Sequence, residues 1–384
     1  MLNTIINIIV LLLSLSVLIC LHELGHLLVA KKFNVYCAEY SIGMGPLLFK
    51  VKKPNQETQF SIRAIPIGGF VSMAGEGSEE IDEMKDVPKE RFLTSIKRWK
   101  RALIMVAGVF VNFVLSLILF FGSGLASPIL DESKQSFKVM DSTSKVTYLA
   151  SEAGLTSNDV ITNFKYVFNI GSSEKVSSKE IASGRDLYKA YYMSGLDEKE
   201  YAPTSTNDKL TVYLTTIDSR TISFTISAVE QTVKNAFGPD VVYYAWNLNE
   251  AGLDFNTRHR NFKEAMNRAS DEFVTSLTSF KVLFQPGGWK NLGGVISVYQ
   301  VSSYATGVGF YYYLYVWGYI SLNLAIVNLL PFPGLDGWHL VVCAFEGITR
   351  KDMPTKVREV MSVIGTVLLI GLMIFVTVLD ILRL

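Results

Sequence analysis

In LICLHELGHLLVAKK, Leu18 to Lys32, a segment otherwise fit for a bilayer carries two histidines and a glutamate. Each charge at the centre of a membrane helix costs roughly 2.5–3.5 kcal/mol on insertion scales, so something must offset it. His22 and His26 are four residues apart and share one helix face. Two imidazoles at that spacing can chelate one Zn²⁺, with Glu23 beside them to take a proton from a hydrolytic water. Gly25 has no side chain, which lets another backbone or a substrate approach closely.

The 384 residues carry a net charge of +1, and 49% of them are apolar, which excludes a disordered tail protein and a basic nucleic-acid binder. The cysteines are Cys20, Cys37 and Cys343, an odd number with none in the long central region, so no disulfide framework is expected. No C-x-x-C pair occurs either. A metal site must therefore be built from histidines and carboxylates.

Four stretches are expected to cross the bilayer, at about residues 5–30, 102–121, 311–330 and 363–379. Each is near the roughly 20 residues that a 30 Å hydrocarbon core demands. The third opens on Tyr311, Tyr312, Tyr313, Tyr315 and Trp317, an interfacial aromatic belt. A cleaved signal peptide is disfavoured for the first, which lacks a basic n-region and a small-x-small site and runs straight into Lys31 and Lys32. Basic flanks set the orientation. Lys31, Lys32, Lys97, Arg98, Lys100 and Arg101 make the loop 31–101 cytoplasmic, and Arg350, Lys351, Lys356 and Arg358 do the same between the last two spans. Both termini then face out, in a multi-pass protein of the cell membrane.

Two imidazoles do not complete a catalytic zinc site, which keeps three protein ligands and an open position. Of the two other histidines, His259 falls on the outer side, and His339 is a weaker competitor in NLLPFPGLDGWHL, Asn328–Leu340. The same stretch holds Asp336, just past the cytoplasmic end of the third span. Glu23 lies seven residues before Ala30, about 10 Å below that boundary at 1.5 Å per residue. Orientation and depth thus bring His22, His26 and Asp336 together near the cytoplasmic side. Read alone, Asp336 among Pro331, Pro333, Gly334 and Gly337 is equally a turn aspartate.

HELGH near the start and NLLPFPGLDG near the end together resemble the site-2 protease family of intramembrane zinc metalloproteases. The resemblance continues through YSIGMGPLLFK (Tyr40–Lys50), IPIGGFVSMAGE (Ile65–Glu76), AGVFVNFVLS (Ala107–Ser116) and GGVISVYQ (Gly293–Gln300). It is nearest to the bacterial, PDZ-containing branch typified by the regulator of sigma-E protease. It implies His22, His26 and Asp336 as zinc ligands, Glu23 as general base, and Asn328 and Pro331 in a motif that holds substrate backbone near the metal. Here DGW stands where the family more usually has DGG, and AGV where it has AGP.

YSIGMGPLLFKV and TQFSIRAIPIGGFVSM alternate apolar and polar residues and are broken by Gly43, Gly45, Gly68 and Gly69, so they read as β-hairpins on the cytoplasmic side. The resemblance makes them a membrane-dipping hairpin and a substrate-clamping edge strand, with those glycines at the substrate. The expected fold is a polytopic α-helical membrane protein with four transmembrane helices, these hairpins and an extracytoplasmic PDZ-like α+β domain. Its parts are a membrane core over 1–124, the PDZ-like domain over 125–235, a linker with an amphipathic helix over 236–300, and a second membrane core over 301–384. SEAGLTSNDVITNF (Ser151–Phe164) resembles a PDZ entry, with Asn158 where glycine is usual, and 165–205 reads as insertions. In Asn261–Phe284 the apolar Phe262, Met266, Ala269, Phe273, Leu277 and Phe280 recur at helical spacing, a helix lying either on the outer membrane surface or over the domain.

The function implied is cleavage of single-pass membrane proteins within or near their transmembrane segments, in a lipid bilayer, with no nucleic-acid partner. Anti-sigma factors or signal-peptide remnants are the substrate types, and the PDZ-like domain would bind a ligand or substrate ectodomain. A non-catalytic scaffold or metal-binding receptor on the same fold is the alternative. An ion carrier is a third reading, disfavoured because the other spans lack polar linings.

Overall fold

The computed structural model describes residues 2–54, 56–75, 87–143, 146–233, 241–288 and 292–382. The Glu76 end of the IPIGGFVSMAGE stretch lies outside them. Helix α1 (Leu2–Lys32) ends on Lys31 and Lys32, cations that suit the negative end of the helix dipole. Strands β1 (Cys37–Val51) and β2 (Gln59–Met73) follow, then helix α2 (Arg98–Ala126). The two glycine-broken stretches are thus not separate hairpins. They are two 15-residue strands of one antiparallel pair. Gly43, Gly45 and Gly68 have φ of 84°, 82° and 92°, open to glycine without strain, and let the strands bend back on themselves. Tyr40 therefore has Cα partners in both Val71 and Phe60, while Val51 also partners Phe60.

Pro128–Arg260 forms a compact unit of its own. It contains β3 (Pro128–Leu130), β4 (Phe137–Val139), helix α3 (Leu149–Glu152), β5 (Ile161–Ile170), β6 (Ser173–Glu180), helices α4 (Gly184–Tyr191) and α5 (Glu198–Tyr201), β7 (Lys209–Thr216), β8 (Thr221–Val233), β9 (Val241–Trp246), β10 (Leu253–Phe255) and β11 (Thr257–His259). The main sheet runs β6-β5-β7-β8-β9, each neighbour antiparallel. Alternate residues of β7 and β8 point inward, Leu210, Val212 and Leu214 against Ile222, Phe224 and Ile226, as a one-sided sheet requires. The β11–β3 pair sets His259 opposite Pro128, so the unit's first and last strands lie side by side.

Two boundaries differ from expectation. Residues 165–205, read as insertions, are an integral part of the unit's core: they supply most of β5, the edge strand β6 and helix α4, whose Leu187 is fully buried. Residues 241–260, expected in a linker, add β9 to the sheet and pair β10 with β4. Short strands that only close a small core carry little sequence signal of their own.

The chain then returns to the first unit, Met1–Ser127 with Asn261–Leu384. Helix α6 (Phe262–Ser279) starts on a capping box between Asn261 and Glu264. It packs on α2 through part of the apolar face read from its spacing: the Phe262 ring meets Phe121, the Phe273 ring meets Phe113, and Ala269 is buried beside Phe120. Ala265, Ala269 and Ser276 are buried, with Ala265 against Gly124, whereas Phe262, Met266 and Leu277 remain exposed. Helices α7 (Val295–Val308), α8 (Phe310–Leu329), α9 (Asp336–Thr349) and α10 (Thr355–Leu382) complete the unit; α7 straddles the expected boundary at residue 301. Among the described residues, three helices (α1, α2 and α10) are long and apolar enough to cross a membrane. The third expected span is a 20-residue helix, α8, but its tyrosines leave it less apolar, and it buries Val316, Trp317, Gly318, Leu322 and Ala325. The chain is a membrane-embedded α-helical protein.

Asp208 holds the β5–β7 corner of the Pro128–Arg260 unit. Burial pushes its pKa up, but the backbone N–H groups of Gly171, Thr204 and Ser205 and the Thr204 hydroxyl donate to the carboxylate and hold it at about 2, below the ordinary 3.8. A depressed carboxylate stabilises the fold above its unfolded pKa, and that contribution is lost as pH falls from 3.8 through about 2. We expect Asp208→Asn to speed hydrogen exchange of the β5–β7 amides at pH 7 by roughly tenfold or more, since hydrogen bonds to a charged group are worth about 1.5–3 kcal/mol. The difference from wild type should shrink as pH falls through that window.

Candidate metal centre

Three side chains meet where α1, α2 and the start of α9 converge. His22 and His26 are both 4% exposed on one face of α1, and Asp336 is the first residue of α9. His22 Nε2 lies 3.0 Å from Asp336 Oδ2 and 3.1 Å from His26 Nε2, and His26 Nε2 is 3.4 Å from Asp336 Oδ2. A tetrahedral ion bound at about 2.0–2.1 Å holds its ligand atoms about 3.3–3.4 Å apart, close to these separations.

The protons tell the same story. His26 Nδ1–H donates to the Ile104 carbonyl at 2.8 Å, which leaves Nε2 with its lone pair. His22 Nδ1 faces the Asn112 side-chain amide, 3.1 Å from Nδ2, while the buried Asn112 Oδ1 has no partner. Amide oxygen and nitrogen are nearly isosteric, so turning the amide over lets Oδ1 accept from Nδ1–H and satisfies both groups. His22 Nε2 is then a lone pair too. One proton can bridge one pair of these three acceptors, whereas a divalent cation answers all of them. The donor set, two imidazoles and a carboxylate, suits zinc.

Around this cluster the other expected residues fall unevenly. Glu23 is partly buried, faces the backbone N–H of Val71, and has Gly69 close by: a Cβ built on Gly69 would sit 3.8 Å from Glu23 Cγ. Asn328 Nδ2 is 3.3 Å from His22 Nε2, at the end of α8. Pro331 is exposed in the turn between α8 and α9, with no polar contact to the cluster. Gly43, Gly45 and Gly68 shape the bends of β1 and β2, where a Cβ on Gly43 would meet the Ile65 carbonyl at 2.6 Å and one on Gly68 would meet the Met44 side chain at 2.8 Å. His339 and His259 stand outside the three-donor cluster, His259 in the Pro128–Arg260 unit. The close approach that Gly25 allows is to another backbone, with a Cβ there only 2.6 Å from the Ala107 carbonyl oxygen. Val109, in the place of the family's usual proline, is buried in an unbroken α2.

The sequence reading gave no role to the face of α2 that supports the histidines. Ile104, Gly108 and Asn112 recur every four residues: a carbonyl for His26, a gap, and an amide for His22. A Cβ on Gly108 would lie 2.4 Å from His26 Nε2 and 2.8 Å from His22 Nε2. A glycine and an asparagine on one stripe of an apolar span were the available signal.

Donors of this kind, with a glutamate beside them on a membrane helix, define a membrane-embedded metallohydrolase centre. The family model described as "Peptidase family M50" matches residues 10–372, and the chain belongs to that family. Its resemblance to the site-2 proteases is borne out: this is a zinc metallopeptidase of that type. A Clostridium perfringens protein named "Putative zinc metalloprotease" is 32% identical over 370 residues, covering 96% of this chain and 97% of the relative. Proteins of the same name from Clostridium acetobutylicum and Campylobacter jejuni are 28% and 26% identical, covering 98% and 97% of this chain and 97% and 92% of their own.

Because no side chain fits at position 108, Gly108→Ala is expected to keep its helicity and lose zinc affinity at least roughly tenfold, as loss of ligand support does elsewhere. Zinc content by atomic absorption, with circular dichroism as control, checks this. An alanine variant with full zinc contradicts the arrangement described.

Proposed function

We propose that the chain hydrolyses peptide bonds of single-pass membrane proteins within or beside their transmembrane segments, with His22, His26 and Asp336 as zinc ligands and Glu23 as general base. The observation that carries this reading is the convergence of three lone-pair donors, from opposite ends of the chain, beside a glutamate on a membrane helix. Bound there, zinc supplies Lewis-acid polarisation of the scissile carbonyl and makes the hydrolytic water more acidic. Glu23 takes the water's proton and passes it to the leaving amine. The Asn328 amide, on the same side of His22, holds substrate backbone.

A substrate helix bonds its own backbone and must unwind before a peptide bond reaches the centre. Among the described residues, 69–73 of β2 pair with no strand but β1 and run beside Glu23, which the Val71 N–H faces; this supports addition of an extended segment along their other edge. The Ser16 hydroxyl donates to the Pro66 carbonyl, which supports a bend of the sheet deep in the membrane, because Ser16 precedes Ala30 by about 21 Å of helix. Exposed Met44, Leu47, Leu48, Phe49, Ile62 and Ile65 suit a lipid-facing sheet. Helix α8 is about 30 Å long, enough for a fourth crossing, and the basic flanks place both termini outside and the metal near the cytoplasm. The outer unit is a PDZ-like module that receives substrate ectodomains. Anti-sigma factors and signal-peptide remnants are the substrate types in view.

Glu23→Gln is the test. It should retain about one zinc, as a site with all its ligands does, while cleavage of a single-pass substrate falls roughly 10²–10⁴-fold. Wild-type cutting by that variant would remove Glu23 from the mechanism. For the strand, Val71→Pro should slow cleavage of an intact transmembrane helix more than of one weakened by central Gly-Pro pairs. Equal slowing on both substrates would argue against strand pairing.

A further inference from the structure

Helix α9 carries Asp336 at its first residue and Glu346 ten residues on, about 15 Å along the axis. Glu346 is fully buried. Its Oε2 accepts from Arg101 Nη2 of α2 at 2.6 Å, and its Oε1 accepts from the Met353 backbone N–H at 3.0 Å and from Arg358 Nη2 of α10. Arg101 is itself only 6% exposed. In the sequence, Arg101 and Arg358 served as flanking charges that set orientation; in the fold they share one carboxylate.

Such a cluster adds little net stability, because desolvating the charges offsets most of their attraction, and apolar replacements often do as well. What it can fix is register. Apolar helix faces slide past one another at small expense, whereas a buried carboxylate shared by three donors has one satisfied position. The helix it holds on one side is α2, whose Ile104 carbonyl and Asn112 amide orient His26 and His22. The helix it holds on the other is α9, which begins with the third donor.

We propose that the Arg101–Glu346–Arg358 cluster is a positioning device that sets Asp336 in register with His22 and His26, an inference that rests on the metal-centre reading above. These residues make no hydrogen bond to the donors; they act through the two helices that carry the site.

The test uses the full chain in detergent, with zinc affinity from chelator competition and the visible spectrum of the cobalt-substituted protein as a readout of coordination. Glu346→Gln keeps the shape and removes the charge. Asp380→Asn is the control, since Asp380 is 3% exposed and accepts from the backbone N–H groups of Gly294 and Ser297, both at 2.9 Å, in a different helix junction. We expect Glu346→Gln to weaken zinc binding about 10–100-fold, the range for lost support of metal ligands, and to change the cobalt bands. Asp380→Asn should leave both unchanged even where it lowers the melting temperature. Wild-type affinity and spectrum in Glu346→Gln would overturn the proposal, and so would equal losses in both variants, which would mean general loosening. If Glu346→Gln does not fold, Arg101→Lys is read by the same measurements, and wild-type values there overturn it. A wild-type chain that binds neither zinc nor cobalt would instead sink the metal-centre reading itself.

Discussion

Three lone pairs within 3.4 Å of one another, in the interior of an apolar bundle, repel unless something positive lies between them. Burying such a set uncompensated is unfavourable by several kcal/mol, and much of the membrane half is arranged around its compensation. Gly25 brings α1 onto α2 with almost no gap, and Gly108 leaves the space in front of both imidazoles. The Ile104 carbonyl and Asn112 amide occupy the far nitrogens, so both Nε2 atoms turn to the same point. Asp336 reaches that point from the other end of the chain because a proline-rich turn starts a new helix there.

The same centre explains why two 15-residue strands are folded against α1 instead of standing as a simple hairpin. The Tyr40 hydroxyl donates to the Cys20 carbonyl at 2.7 Å, one turn before Glu23, and so moors the middle of the sheet to the motif helix. The bends at Gly43, Gly45 and Gly68 then bring residues 69–71 alongside the glutamate. The glutamate and the edge of β2 are thereby placed side by side, with a Cβ on Gly69 3.8 Å from Glu23 Cγ.

Much of the cluster was legible because its chemistry is dense: His22, Glu23 and His26 stand out against apolar neighbours, and orientation with depth points Asp336 at them. The supporting face of α2 was not, since Gly108 and Asn112 on one stripe are a faint signal, and a backbone carbonyl such as that of Ile104 gives none at all. Helix α6 was legible in part. Its spacing picked out Phe262, Ala269 and Phe273, which meet α2, but not Ala265 and Ser276, whose small side chains let the two helices approach closely. Ala265 against Gly124 is that kind of contact. In the Pro128–Arg260 unit, alternation made β7 and β8 readable, while β9, β10 and β11 take their meaning from partners far away in sequence.

X-ray absorption at the zinc edge of the purified wild-type protein tests the central claim most directly. Two imidazole nitrogens and a carboxylate oxygen should appear at about 2.0–2.2 Å, with one further light donor. A shell of oxygens alone, or a sulfur scatterer near about 2.3 Å, would contradict the assignment of His22, His26 and Asp336 as the ligands.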